Sequence, residues 1–172
     1  MGSLLEHYIA GQLICLPEIL PMYAPTVNSF KRLGHGDWAP ATASWGIDNR
    51  TAALRFIPGS NKSARIEHRV PGSDINPYLA MAASLASGLY GIKNKIKLET
   101  PETKGNAYQK TAKNNLPSTL WEATQKMKGS EIARELFGSG FTDHFIQTRE
   151  WEWQQFTNEV TDWELKRYFE II

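Results

Sequence analysis

The chain has 172 residues, of which 41% are hydrophobic and 22% charged, a composition typical of a soluble globular domain with a sizeable core. The formal net charge is +1, so no overall field attracts nucleic acid, and no apolar segment has the length of a membrane span. Cys15 is the single cysteine, which excludes an intramolecular disulfide, so we expect a cytoplasmic protein without nucleic-acid or membrane partners.

The first part of the chain predicts one helix followed by short strands. Ser3 and Glu6 have the spacing of a capping box, and apolar residues at helical spacing continue to Pro17, which ends the helix. Glycines and prolines then divide the sequence into short segments rich in β-branched and aromatic residues, which favour strands. The expected strands lie around 42–45, 52–57 and 65–70, with a fourth near 30–33.

The rest of the chain is predicted to be mainly helical. Asp74 is placed to cap a helix with Pro77 in its first turn, and its apolar stripe predicts burial against the sheet. A polar loop follows at 99–116, and Gly138 begins a break between later helices. Four later helices are expected: one that starts at 118, and others at 130–137, 142–156 and 162–169. The predicted class is α+β, with a small antiparallel sheet backed by the 77–92 helix and a helical C-terminal segment.

A charged strand carries the strongest functional signal. Side chains alternate between the two faces of a strand, so Arg65, Glu67 and Arg69 share one face while Ile66 and His68 lie on the other. Two cations beside one carboxylate favour an anion-handling site, although a structural ion pair on a solvated strand fits the same pattern. Further arginines precede it, at Arg32, Arg50 and Arg55.

The order and spacing of four segments resemble the C-terminal part of glutamine synthetase. The segments are Asn28-Ser29-Phe30-Lys31-Arg32-Leu33, Asn49-Arg50-Thr51-Ala52, Arg65-Ile66-Glu67-His68-Arg69 and Asn76-Pro77-Tyr78-Leu79-Ala80. The resemblance implies a C-terminal fragment of a catalytic domain: an arginine-bearing sheet and buried helix at 1–97, a loop at 98–117 and a helical segment at 118–172. It also implies an ATP-dependent ligase that joins ammonia to the glutamate side-chain carboxylate through an acyl phosphate, with Mg or Mn ions, in a cytoplasmic homo-oligomer.

The resemblance assigns a role to each matching residue. Glu67 matches a metal-ligand glutamate, and Arg69 matches an arginine on the reacting carboxylate and phosphoryl group. Arg32 matches the arginine that binds the amino-acid substrate, where a planar guanidinium offers bidentate geometry. The catalytic set is Arg50, Arg55 and Arg69; the substrate-binding set is Arg32 and Arg69; the nucleotide-binding set is Lys62, Arg65 and Arg50.

Trp38 departs from the family pattern. Ammonia-using relatives carry a glutamate directly before Ala-Pro, a position that Trp38 occupies here. An indole face can receive an organic amine through cation–π and apolar contact, with Asp37 taking part of the acid role. Trp38 and Asp37 are therefore the expected acceptor pocket, and ligation of glutamate to a polyamine or another amine is the alternative function. A non-catalytic structural protein with the ligase fold and an unrelated anion-binding module are further alternatives.

The set of metal ligands is incomplete in this sequence. The family's other metal carboxylates and its ligand histidine precede the stretch represented here, and one carboxylate cannot hold two divalent ions tightly. We therefore expect the isolated chain to bind metal weakly and to be inactive alone, with activity belonging to a homo-oligomer of full-length copies.

Overall fold

The structure is a computed structural model that describes residues 2–34, 38–60, 62–109 and 115–171. The predicted α+β class is confirmed, and none of the helices in the described ranges is long and apolar enough to cross a membrane. The helices are α1 (Ser3–Cys15), α2 (Val27–Gly34), α3 (Pro77–Lys93), α4 (Leu120–Lys128), α5 (Glu131–Phe137), α6 (Ser139–Asn158) and α7 (Asp162–Tyr168), with 3-10 turns at Leu20–Met22 and Ala107–Gln109. The strands are β1 (Trp45–Ile47), β2 (Leu54–Ile57) and β3 (Arg65–His68).

Two predictions of local structure are wrong at the start of the chain. The expected strand at 30–33 lies inside α2, where basic residues occupy the last turn and complement the helix dipole. Ser3 is already helical and makes no capping box. The backbone carbonyl of Gly2 instead accepts hydrogen bonds from the amides of Leu5 and Glu6, at 3.0 and 3.2 Å.

The cap of α3 also differs from the prediction. Asn76, not Asp74, begins the helix: its side-chain oxygen accepts hydrogen bonds from the amides of Tyr78 (3.0 Å) and Leu79 (3.3 Å). Asp74 instead accepts a hydrogen bond from the Thr26 hydroxyl at 2.8 Å. Asp74 therefore ties the start of α2 to the segment before α3.

The sheet is mixed, which corrects the expected antiparallel arrangement. β2 and β3 pair antiparallel, but β1 and β2 pair parallel with Gly46 opposite Arg55. Parallel pairing normally needs a long crossover, whereas here the chain turns back after β1 within six residues. Asp48 adopts a positive φ of 49°, and a Cβ on Gly46 would lie 2.8 Å from the Cβ of Asn49. The missing side chain of Gly46 leaves room for this short return.

Helix α3 packs against α1 rather than directly on the sheet, so the predicted burial of its apolar stripe is wrong. The two helices cross closely at glycines: a Cβ on Gly91 would lie 2.0 Å from the carbonyl oxygen of His7 and 2.7 Å from the Cα of Gly11. The small residues, not the large ones, therefore face α1. The large residues of the stripe are exposed, namely Tyr78, Met81, Leu85 and Leu89.

The apolar contact with the sheet comes from α1. Ile9 and Leu13 form a cluster with Trp45 on β1 and Leu54 on β2. The larger core lies beyond α1, where α3 to α6 contribute residues such as Leu120, Met127 and Ile146. One face of the sheet is thus buried, which leaves the opposite face of β2 and β3 for polar side chains.

Candidate functional site

Four alternating charges lie along the polar face of the sheet. We call this set the charged ladder: Asp48, Arg55, Glu67 and Arg69. Arg55 and Glu67 are directly opposite each other on β2 and β3, and the Arg55 guanidinium donates to Glu67 Oε2 at 3.1 Å. Arg69 Nε donates to the other carboxylate oxygen, Oε1, at 2.9 Å. Asp48 Oδ1 accepts from Arg55 Nε at 3.0 Å, so the ladder is continuous.

Both arginines of the ladder are held within the protein surface. Their side chains are 14% exposed, compared with 41% for Glu67. The hydrogen bond to Asp48, reinforced by the charges of Asp48 and Glu67, raises the pKa of Arg55. The two cations are therefore held on either side of one carboxylate by ion pairs within the chain.

Arg69 has an unused donor. Its Nη1 is buried and has no hydrogen-bond partner among the described residues, while its Nη2 is 3.4 Å from the carbonyl oxygen of Trp38. Trp38 has a positive φ of 68° and is 81% exposed, an unfavourable combination for a large residue that marks a constrained position. The Arg69 guanidinium thus keeps a buried N–H donor that none of the described residues satisfies.

Arg50 lies close to the ladder, in an adjoining cavity of about 590 Å³. Arg50 is exposed on the turn after β1, and it lines this cavity together with Arg55 of the ladder and Lys104 of the long loop. Asn49 holds the loop in place, since its amide donates to the carbonyls of Thr103 and Gly105, both at 2.9 Å. Two carboxylates, Asp48 and Glu102, line the same cavity, so the charges around Arg50 are mixed.

The Arg32 side chain extends from α2 to the end of β3. It makes none of the hydrogen bonds described above for the ladder. Its guanidinium donates to the carbonyl of Val70, the residue after Arg69. Partial burial lowers the pKa of Arg32, and the nearby Asp74 carboxylate acts in the opposite direction. Gly72 is also close, because a Cβ there would lie 3.2 Å from Arg32 Nε.

The structure does not bring the remaining predicted residues into the ladder. Arg65 Nη1 donates to the carbonyl of Ser63 at 3.1 Å, and the residue lines a different cavity, near α1. Lys62 is exposed in the turn before β3. Asp37 lies outside the described residues.

The sequence matches the glutamine synthetase catalytic-domain family over residues 1–168. This chain belongs to that family. A relative named type-1 glutamine synthetase 2, from Dictyostelium discoideum, is 51% identical over 175 residues, which cover 100% of this chain and 33% of that protein. Glutamine synthetase from Thermotoga maritima is 36% identical over 171 residues, covering 95% of this chain and 39% of that protein.

The family includes ligases that use amines. A relative named glutamate–isopropylamine ligase, from a Pseudomonas species, is 43% identical over 176 residues, covering 99% of this chain and 38% of that protein. A solved structure titled as a GmaS/ADP complex matches with a TM-score of 0.85 and 28% identity, over 98% of this chain and 40% of that one. The chain therefore spans about a third to two fifths of the relatives it matches.

Glutamine synthetases work with divalent metals, and the described residues alone do not form a complete site for them. No group of three histidine, cysteine, aspartate or glutamate side chains gathers within the described ranges. Glu67 is a suitable oxygen ligand for a hard cation, but both of its oxygens accept hydrogen bonds from arginines. Within the described residues, the Glu67 carboxylate is therefore engaged by Arg55 and Arg69 and does not form a cation site by itself.

Sequence reasoning missed two parts of this region. Asp48 joins the ladder only because its positive φ turns the chain back over Gly46, and the Asp48–Asn49 pair was the available signal for such a turn. Lys104 approaches because Asn49 anchors a loop more than fifty residues away in sequence. No local pattern announces that long-range contact.

Proposed function

We propose that this chain supplies the carboxylate- and phosphate-binding part of an ATP-dependent carbon–nitrogen ligase. The reaction is amide formation at the side-chain carboxylate of glutamate, through an acyl phosphate. The observation that supports it most is the ladder around Glu67, with the Arg69 Nη1 donor, which no described residue satisfies, beside it. The ladder alone would fit many anion-binding sites. Membership of the glutamine synthetase family favours ligation among the possible functions of such a site.

The chemistry requires stabilisation of negative charge at two stages. A carboxylate oxygen of glutamate attacks the γ-phosphorus of ATP and ADP leaves; ammonia then attacks the acyl carbon, phosphate leaves and the nitrogen loses a proton. In this proposal Arg69 contacts the reacting carboxylate and phosphoryl group, while Arg50 and Arg55 offset charge on the phosphates during transfer. Preorganised cations in a water-poor cleft lower such barriers by several kcal/mol, roughly 3 to 4 per contact.

The other predicted residues take supporting roles. Arg32 binds the α-carboxylate of the amino acid, and Lys62 and Arg65, with Arg50, bind the nucleotide. Glu67 contributes one carboxylate ligand to a divalent ion, which, when bound, neutralises phosphate charge. Its remaining ligands come from parts of a longer, homo-oligomeric and cytoplasmic protein, so the 172-residue chain alone is inactive.

Ligation of an amine in place of ammonia is the second candidate. Trp38 is exposed, and its backbone carbonyl contacts the Arg69 guanidinium. An exposed indole in the segment that contacts Arg69 favours an organic amine, since an ammonium group binds over such a ring by cation–π attraction. Relatives named for isopropylamine and for ethanolamide products support the same direction.

A chimaera tests the proposal and separates the two acceptors. This chain replaces the matching third of the Dictyostelium discoideum relative, and ATP-dependent ligation of glutamate is measured with ammonia, isopropylamine and ethanolamine. The proposal expects activity with at least one acceptor and a loss of about 100-fold in kcat/KM for Arg69→Gln. Arg134→Gln is the matched control. Arg134 forms an exposed ion pair with Asp143, with an N–O distance of 2.7 Å, and neither residue belongs to the ladder.

Each outcome has a distinct meaning. Activity that survives Arg55→Gln and Arg69→Gln alike would overturn the assigned roles of the ladder. A folded chimaera that binds ATP but ligates none of the acceptors would favour a non-catalytic structural protein with the ligase fold.

A further inference from the structure

Asp48 is the residue of the charged ladder that has no role in the proposed ligase reaction. Its carboxylate Oδ1 accepts hydrogen bonds from both Nε and Nη2 of Arg55, the first at 3.0 Å. The Glu67 carboxylate accepts a third, from Arg55 Nη1, at 3.1 Å. A guanidinium has five N–H donors, so two of them, one on each Nη nitrogen, are used by neither carboxylate. Because Arg55 also lines the cavity beside Arg50, the direction of these donors depends on the partners that hold the guanidinium.

The backbone of Asp48 fixes its carboxylate in front of β2. Asp48 has a positive φ of 49°, a conformation that aspartate, asparagine and glycine adopt more readily than other residues. Its amide donates to the carbonyl of Phe56 at 2.8 Å, and Phe56 follows Arg55 in β2. The amide and the carboxylate of Asp48 thus hold two successive residues of one strand. This double attachment distinguishes the pair from two mobile surface side chains.

The other carboxylate partner of Arg55 is shared. Glu67 also accepts a hydrogen bond from Arg69 Nε at 2.9 Å, and in the proposed function it serves a divalent ion as well. Among the described residues, Asp48 forms an ion pair with Arg55 alone. The Arg55 side chain is 14% exposed and that of Asp48 64%, so the carboxylate is hydrated while the guanidinium is mostly shielded from water. The bond from Asp48 therefore holds Arg55 independently of Glu67.

We propose that Asp48 is a positioning residue, which holds the Arg55 guanidinium in one orientation so that its unused N–H donors are presented to the phosphates during transfer. The consequence for the reaction rests on the proposed function, whereas the orientation of Arg55 is a property of this chain alone. Asp48 itself does not contact the reacting atoms. Its contribution is the acceptor oxygen, so a neutral acceptor at the same position is expected to replace the carboxylate in large part.

Two substitutions separate the acceptor from the backbone conformation. Asp48→Asn keeps an oxygen acceptor and Asp48→Gly removes it, and both new residues tolerate the positive φ at this position. Both substitutions also remove the same negative charge, so a difference between them reports the hydrogen bond to Arg55. Asp143→Ala is the matched control, because Asp143 forms an exposed ion pair with Arg134 and neither residue belongs to the ladder.

The first measurement uses the ¹⁵N-labelled chain and needs no ligase activity. The exchange of the Arg55 Nε–H with water is followed by NMR, because a hydrogen bond to a carboxylate slows it. In the unmodified chain this exchange is expected to be about tenfold slower than that of the Arg65 Nε–H, since the described bond of Arg65 is made by Nη1. Asp48→Gly should abolish the difference, Asp48→Asn should keep most of it, and Asp143→Ala should leave it unchanged.

The second measurement is the ligation rate of the chimaera with its best acceptor. Asp48→Gly is expected to lower kcat about tenfold, because a misdirected Arg55 no longer meets the charge that develops during transfer. Asp48→Asn is expected to lower kcat by less than about threefold. The KM for ATP should be the same in the two variants, since both have lost the same charge. A merely structural role for Asp48 would not separate two folded variants in kcat at equal KM.

The outcomes distinguish this inference from the proposed function. If the unmodified chimaera ligates and the two Asp48 variants have the same kcat, the positioning role is wrong while the proposed function stands. Equal exchange of the Arg55 and Arg65 Nε–H groups in the unmodified chain would also overturn it, even if Asp48→Gly fails to fold. A chimaera that ligates no acceptor would overturn the proposed function and the part of Asp48 in it. Slow exchange of the Arg55 Nε–H would then show that the geometry had not failed.

Discussion

The buried His68 ring predicts a specific loss of stability in mild acid. Its pKa is lowered from an ordinary value of 6.5 to about 3 by burial, so the unfolded chain binds a proton at a higher pH than the folded chain does. Stability is therefore complete above pH 6.5 and falls as the pH drops towards 3. The slope is about 1.4 kcal/mol per pH unit, which gives a loss of about 2 kcal/mol by pH 5.

The window between pH 6.5 and 5 isolates this residue from the carboxylates. The pKa values of Asp74, Glu122, Glu150 and Glu164 are lowered by hydrogen bonds that outweigh the effect of burial. Their contribution is present above their unfolded values and is lost only as the pH falls below those values, near 4. The loss of folding stability between pH 6.5 and 5 is therefore expected to come mainly from histidine.

Urea unfolding at pH 7, 6 and 5 measures this effect. His68→Phe keeps an aromatic ring against Tyr23 and is expected to remove most of the decline. His144→Gln, at an exposed position, is expected to retain it. A decline of the same size in His68→Phe and in the unmodified chain would refute the assignment of acid sensitivity to the buried ring.

Three further changes test separate parts of the structure. Gly91→Ala should destabilise the chain by about 2 kcal/mol in thermal unfolding, because the added Cβ would overlap α1. Gly140→Ala is the control and should be neutral or stabilising, since a Cβ there has no atom within 4 Å; equal effects of the two variants would contradict the close crossing of α1 and α3. Glu67→Gln should lower the free energy of unfolding by about 1 kcal/mol at low salt and by less at high salt, because salt screens the ion pairs of this partly exposed carboxylate. An effect that salt does not change would argue against an ion-pair ladder. Trp38→Glu in the chimaera should raise the ammonia-to-amine rate ratio, and an unchanged ratio would count against the acceptor role of Trp38.

Local signals predicted the helices other than α2, and the face of the charged strand. The alternation of Glu67 and His68 placed them on opposite faces, and the structure confirms it: Glu67 pairs with Arg55, and His68 stacks on Tyr23. The break at Gly138 is also confirmed, because Gly138 has a positive φ of 76° between α5 and α6. In each case the feature follows from the backbone geometry of one short segment, either strand alternation or a single glycine.

Long-range packing explains what the sequence pattern did not predict. The apolar stripe of α3 indicated burial, but the glycine contact between Gly11 and Gly91 turns the small residues towards α1 and exposes the large ones. The parallel pairing of β1 depends on room above Gly46, which is a property of two segments together. Arg65 shares the parity of Glu67, yet its guanidinium bonds locally to Ser63. Strand alternation fixes a face but not the partner of a long side chain.

The most direct test of the central claim is the kcat/KM for ATP-dependent ligation by the chimaera, measured for Arg69→Gln beside Arg134→Gln with the best acceptor. The account predicts a loss of about 100-fold for Arg69→Gln, because its guanidinium would meet the charge that develops on the reacting carboxylate and phosphoryl group, and no loss for the control. Equal rates for the two folded variants would contradict the assignment of the charged ladder to ligation.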